Sequence, residues 1–249
     1  MRTNRLPPVR GTRSTTRRTG IFRARIIETN PLEILLVRHG ESEGNAQDRM
    51  QGRSDFPLTE HGRSQAKQLG AWLASLDLGW HALYASPLLR AWETAAIVHG
   101  AAGGPVPVLE PSLAEIHAGE LEGLSFVEIV ERFPSYTSRG VGGIGDFSEF
   151  GGESYDDVQR RAAELFRRLE AKHRGHAERV LCVGHGGLNF QLLKQLICDP
   201  VPRVCIVRMG NCSATLVRFR ERRGTFMGEI VWHVPVELMG GKSREGARP

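Results

Sequence analysis

A chain of 249 residues, 40% hydrophobic and 24% charged, fits one compact α/β domain, with two smaller domains as the other arrangement open to that length. No run approaches the roughly 18 consecutive apolar residues of a membrane helix, and the N-terminus lacks the apolar core of a secretory signal, so a soluble, cytoplasmic protein with no membrane partner is expected. The net charge of +5 sits in a tail: residues 1–30 hold eight arginines against Glu28, a balance of +7 that leaves −2 for residues 31–249, and nucleic acid is not the expected partner of that body.

The tail mixes Arg, Thr, Pro and Gly with few apolar residues, cannot bury enough surface to offset its ordering entropy, and reads as disordered. Arginine outnumbers lysine 29 to 4 across the whole chain, which weakens any special meaning for the tail's arginines. An extension without function, an organelle-targeting peptide and an arm for an anionic partner all stand as readings. The folded domain is read as residues 31–239, followed by a flexible Gly- and Arg-rich end at 240–249.

Short apolar runs then alternate with amphipathic segments, the pattern of βα units. The run 33–37 (EILLV) reads as a strand. The segment 58–76 reads as a helix, with Thr59 as N-cap and Ala66, Leu69, Leu73 and Leu76 on one stripe. Residues 81–86 (HALYAS) form the next strand, and Pro87 opens the helix 87–100, since proline is tolerated in a first turn. A third strand is expected at 105–110 (PVPVLE).

Residues 111–153 are Gly-rich with short apolar pieces and read as a cap-like insertion, containing one helix that starts at the Ser125/Glu128 capping box and stops near Pro134. Ser154 and Asp157 open a long helix with Val158, Ala162, Leu165, Phe166 and Leu169 inward. Residues 179–185 form a strand ending in His-Gly-Gly, with a helix at 188–197 behind it. Runs at 204–209, 213–219 and 229–234 read as closing strands with an antiparallel edge. The fold class expected is a three-layer α/β/α sandwich on a mostly parallel sheet, with the insertion over the active site. Cys182, Cys198, Cys205 and Cys212 lack C-x-x-C spacing and read as free thiols in a reducing compartment.

In open α/β sheets ligands bind beyond the carboxyl ends of strands. Three such ends carry the unusual residues: Arg38-His39-Gly40, Ser86-Pro87 leading to Arg90, and His185-Gly186-Gly187. Two imidazoles and two guanidiniums in one crevice make a donor-rich, positive pocket suited to a phosphoryl group, which planar guanidiniums chelate bidentately. Asn45 and the amides of Gly186 and Gly187 add neutral donors. Arg38 and Arg90 disfavour an imidazolium, so His39 is held neutral as a nucleophile. The leaving alkoxide needs a proton, for which Glu115 is the first candidate and Glu120 and Glu122 are weaker ones. Ser42 and Arg49 are candidate substrate contacts.

Six blocks carry a resemblance: LLVRHGESEGN, QGRSDFPLTEHGRSQA, YASPLLRAWETA, LAEIHAGELEG, GGES and VGHGG stand in the order found in the histidine phosphatase superfamily, the phosphoglycerate-mutase-like group. The resemblance spans residues 33 to about 190. It implies that His39 is phosphorylated, that Arg38, Arg90 and His185 cradle the phosphoryl group with Asn45 assisting, that Glu115 is the proton donor, and that no metal or cofactor is required. Phosphoglycerate mutases of the family carry an arginine directly after that glutamate, where this chain has Ile116. Its loss removes a charge-assisted anchor worth about 2 kcal/mol, which favours hydrolysis of a small phosphorylated substrate over mutase action.

Rival readings remain in view. A zinc site from His39, His117 and His185 has suitable residue types, but guanidiniums beside a dication are unfavourable. A non-catalytic phospho-ligand binder, a mutase and a nucleic-acid module resting on the tail are the others, and a homodimer is the assembly kept open. Thr59, Gly62, Arg63 and Gln65 are expected to brace the loop carrying Asn45. Residues 126–150, with Phe126, Phe133, Tyr136, Arg139 and Phe147, are expected to roof the pocket. His61, His81, His99, His173, His176 and His233 read as surface or capping residues.

Overall fold

The structure is a computed structural model and describes residues 31–138, 145–174, 178–198, 208–222 and 225–239. The 1–30 tail, the 240–249 end, Arg139, His176, Cys205 and positions 204–207 of the expected 204–209 strand lie outside these residues. Arg208 and Met209, the last two of that run, are described and are not in a strand.

Strand β1 (Leu32–Arg38) is buried along nearly its whole length, so its residues alternate between two cores. Helices α2 (Glu60–Ser75) and α3 (Leu89–Ala102) cover one face of the sheet. They pack Leu69, Leu73, Ala91 and Val98 onto Leu35 and Val37. On the other face, α6 (Tyr155–His173) and α7 (Gly186–Ile197) pack Leu165, Leu169, Leu188 and Leu192 onto Ile34 and Leu36. With β2 (Ala82–Ala85), β3 (Val108–Leu109), β4 (Arg179–Gly184), β5 (Ala214–Arg222) and β6 (Thr225–Val234), the sheet runs β3-β2-β4-β1-β5-β6. The first four of that order are parallel, β5 runs antiparallel to β1, and β6 runs antiparallel to β5. This is the expected α/β/α sandwich with an antiparallel edge.

Register at the centre is pinned by charge. Glu33 is directly opposite Arg179 on β4 and Arg218 on β5. Its carboxylate accepts from both, at 2.8 and 2.7 Å. Burial pushes that carboxyl up, but the two guanidiniums outweigh it and hold it below its ordinary value.

Three boundaries differ from expectation. The third strand shrinks to Val108–Leu109, because Pro105 and Pro107 have no N–H to give a ladder. Helix α3 opens at Leu89 rather than Pro87, since the carboxylate of Asp55 accepts from the Leu89 amide at 2.7 Å and caps the helix from a distant loop. Leu76 follows the last residue of α2 and is exposed rather than inward. His173 is also reassigned: it is buried, with Tyr84 Oη 3.0 Å from Nε2 and Glu178 on Nδ1.

Among the described residues the insertion consists of short turns and two α-helices, α4 (Phe126–Arg132) and α5 (Pro134–Ser138). The capping boxes at Ser125/Glu128 and Ser154/Asp157 both form. No helix among the described residues is long and apolar enough to cross a membrane.

Candidate active site

Because β1, β4 and β2 are adjacent and parallel, the loops after them open on one edge of the sheet. His39 follows β1, Ser86 follows β2 and His185 follows β4. A cavity of about 1010 Å³ opens over these ends. Arg38, His39, Asn45, Arg90 and Glu115 line one side, and Phe126, Val127, Ile129, Tyr136 and Phe147 from the insertion line the other.

The RHG loop is fixed by close backbone approach. A Cβ at Gly40 would lie 2.5 Å from the Gly62 carbonyl oxygen, and one at Gly62 would lie 2.0 Å from that of Glu41. Thr59 Oγ1 donates to Glu41 Oε1 at 2.7 Å and Gln65 Oε1 accepts from the Glu41 amide at 2.8 Å, so these residues brace the loop as expected. Arg63 does not; it pairs with Glu93 on α3 and with Glu60.

His39 is 2% exposed, and its Nδ1 faces the Gly40 carbonyl at 2.6 Å. A carbonyl can only accept, so Nδ1 carries the proton and Nε2 keeps the lone pair. Its ring centroid is 5.1 Å from that of His185. Burial is the main reason the His39 pKa lies well below 6.5, with Arg38 and Arg90 pushing it further down. His185 is depressed for the same leading reason, then by His39 and the two arginines.

These depressed values have a thermodynamic sign. The unfolded chain takes up protons near an imidazole's ordinary value of about 6.5, whereas the folded chain resists them. The stabilising contribution is therefore whole above that value and is lost as pH falls towards the folded values. Thermal melts from about pH 8 to about pH 5 should show a falling Tm, and His39→Gln should lose less of it over the same window.

Arg90 is 1% exposed; its terminal nitrogens donate to the carbonyls of Ser54 and Gly52, both at 2.8 Å. Arg38 donates to the Met209 carbonyl at 2.8 Å. The remaining nitrogens matter most. Arg38 Nε, Arg90 Nε and His185 Nδ1 are all buried without a protein partner. An unmet buried donor costs about 1–3 kcal/mol, a penalty that phosphoryl oxygens in the cavity would offset for the two guanidiniums.

Several expected site residues stand elsewhere. His185 does not line the cavity; it packs behind His39, with Nε2 2.8 Å from Ser86 Oγ. Ser42 is fully buried, caps the short helix α1 (Glu43–Ala46) and reaches Gln51 Oε1 at 2.7 Å instead of the cavity. Gly186 does not line the cavity, and the Gly187 amide donates to Glu115 Oε2 at 3.0 Å. Glu115 Oε1 also accepts from the amides of Ile116 and Leu188, each at 2.9 Å. Arg49 lines the cavity and donates to the Gly123 carbonyl at 2.6 Å.

Glu122 is a strut, accepting from the amides of Arg53 and Ala118, and Glu120 is exposed. His117 stands 3.8 Å from Glu122 rather than grouping with His39 and His185. Phe133 packs edge-on against Phe150 and does not line the cavity.

Sequence reasoning missed Gln51 and Gln191, which line the cavity, and Asn211, whose amide bridges the His39 carbonyl and Asn45 Oδ1 at 3.1 Å each. Gln51 lay inside a quoted block, so that signal was available. Asn211 carries none, being far from the loop it supports.

The family model described as histidine phosphatase superfamily, branch 1, matches residues 34–228. The chain belongs to that superfamily. Its relatives include a metal-independent phosphoserine phosphatase of Arabidopsis thaliana, 32% identical over 198 residues, covering 79% of this chain and 80% of the relative. A probable phosphoglycerate mutase of Salmonella paratyphi A is 32% identical over 201 residues, covering 80% and 91%. Among solved structures, YhfR of Bacillus stearothermophilus is 32% identical with a TM-score of 0.68, covering 82% of this chain and 98% of that one. A mycobacterial glucosyl-3-phosphoglycerate phosphatase complexed with VO3 is 29% identical with a TM-score of 0.68, covering 80% and 96%. The histidine phosphatase described here is a phosphatase by these relationships and shares their α/β architecture.

Proposed function

We propose that this histidine phosphatase hydrolyses a small phosphorylated metabolite through a phosphohistidine on His39, without a metal ion. One observation carries the reading: a neutral imidazole with its Nε2 lone pair free lines the same cavity as two buried guanidiniums and a carboxyl group. In the first step Nε2 attacks phosphorus, the P–O bond to the alcohol breaks, and Glu115 gives its proton to the departing oxygen. In the second, water loses a proton to Glu115 and attacks phosphorus, the N–P bond breaks, and phosphate leaves. Arg38 and Arg90 balance the phosphoryl charge throughout, the role a cation would otherwise fill.

Hydrolysis is favoured over mutase action because Ile116 lines the cavity wall and offers no charge to a second anionic end of a substrate. The relatives' names point to metabolite esters, among them one named for phosphoserine and one for glucosyl-3-phosphoglycerate.

The test is a rapid quench with a phosphate-labelled ester. It should leave an acid-labile, base-stable label on the protein that His39→Ala does not acquire. No label under conditions of rapid turnover would overturn the covalent step. Turnover should survive excess EDTA, and inactivation reversed by added zinc would overturn metal independence.

A further inference from the structure

The carboxyl group of Glu115 is held from the front by three amides, but its backbone is held from behind by one ion pair. Arg161, on α6, forks onto Glu153 with Nε to Oε1 at 2.9 Å and a terminal nitrogen to Oε2 at 2.7 Å. The same guanidinium donates to the carbonyls of Ala114 at 2.6 Å and Ser112 at 3.0 Å, and reaches that of Glu115 at 3.4 Å. Glu153 Oε2 accepts from the His117 amide at 2.8 Å. Arg53 closes the cluster, 3.2 Å from Glu153 and 3.4 Å from the Glu115 carbonyl.

Thus the backbone on both sides of Glu115 is gathered onto Arg161 and Glu153, which come from a helix and a loop far away in sequence. Both side chains are mostly buried, at 15% and 16% exposure, where such a pair is rigid and poorly screened by solvent. Burial pushes the Glu153 carboxyl up, but the Arg161 and His117 bonds outweigh it and keep it ionised. Neither side chain lines the cavity.

We infer that Arg161 and Glu153 are positioning residues for the proton donor, and that they set catalysis only through the placement of Glu115. The inference rests on the proposed role of Glu115. A displacement of about 1 Å in a reacting group can cost about 10²-fold in rate. Loss of the clamp should therefore resemble a weakened Glu115, and it should do so selectively by leaving group.

The experiment compares Arg161→Lys, which keeps the charge but loses the fork, and Glu153→Gln with the wild-type chain on an alkyl phosphate and on p-nitrophenyl phosphate. We expect kcat/KM, which reports the steps up to departure of the alcohol, to fall about 10- to 100-fold on the alkyl ester and less than about 3-fold on the activated ester. Arg168→Ala is the control, since Arg168 lies on the same helix and bonds the side chains of Glu110 and Ser112 rather than Glu153 or the carbonyls that Arg161 holds. It should leave both rates near wild type. In a Glu115→Gln background, Arg161→Lys should add no further selectivity.

Equal losses on both esters, or no loss on either, would overturn the inference. If Glu115→Gln is itself unselective, the donor assignment fails and the positioning role falls with it. If Glu115→Gln is selective and neither clamp variant is, the positioning role alone is wrong. Should one variant fail to melt cooperatively, the other decides.

Discussion

Replacing His39 by alanine should lower p-nitrophenyl phosphate turnover by at least about 10⁴-fold, because the change removes the nucleophile and not merely a contact. The site itself should persist. Arg38 and Arg90 are anchored to the carbonyls of Met209, Ser54 and Gly52, none of which depends on the imidazole. Inorganic phosphate should therefore still raise the Tm of His39→Ala, as it does any protein that binds it only when folded. The lost ring leaves a polar gap that water can occupy, so melting should stay cooperative. Retained turnover within about 10-fold of wild type would remove His39 from the nucleophile role.

What the sequence reveals here follows from the range of the forces involved. Thr59, Ser125 and Ser154 were legible as helix starts because a cap and the amide it satisfies lie within one turn. Burial of β1 on both faces was legible as a hydrophobic run that ends where His39 begins. Asp55 capping α3 was not, because its partner amide lies 34 residues away. The Arg161 clamp was hidden for a related reason: most of its acceptors are backbone carbonyls, which every sequence contains.

The site residues divide along the same line. His39, Arg90 and Glu115 were legible as chemistry at strand ends, and the fold brings them to one cavity. Ser42 misled because a serine near a histidine reads as a ligand contact, whereas Ser42-x-x-Asn45 is a capping box and the hydroxyl also reaches Gln51, so it is used up within the protein. Gly187 misled differently. A helix N-terminus suggests a bound anion, and here its amides donate instead to the carboxyl oxygens of Glu115.

That last contact sharpens the second large prediction, Glu115→Gln. In kcat/KM, which reports the steps up to departure of the alcohol and not hydrolysis of the phosphohistidine, an alkyl phosphate should lose about 10²- to 10³-fold, since its alkoxide cannot depart unprotonated, while p-nitrophenyl phosphate, whose phenolate leaves as the anion, should lose less than about 10-fold. The substitution also has a structural cost. Glu115 offers acceptors to three amides, two on Oε1 and one on Oε2. Glutamine can match the pair at Ile116 and Leu188 with its oxygen, but its NH₂ must then face the Gly187 amide, donor against donor. That mismatch should cost about 1–3 kcal/mol and lower the Tm by a few degrees. A thermal shift with uniform loss on both esters would mean that Glu115 serves only as the acceptor at the start of α7. Selective loss for the alkyl ester, with or without the thermal shift, would mean that its proton reaches the substrate.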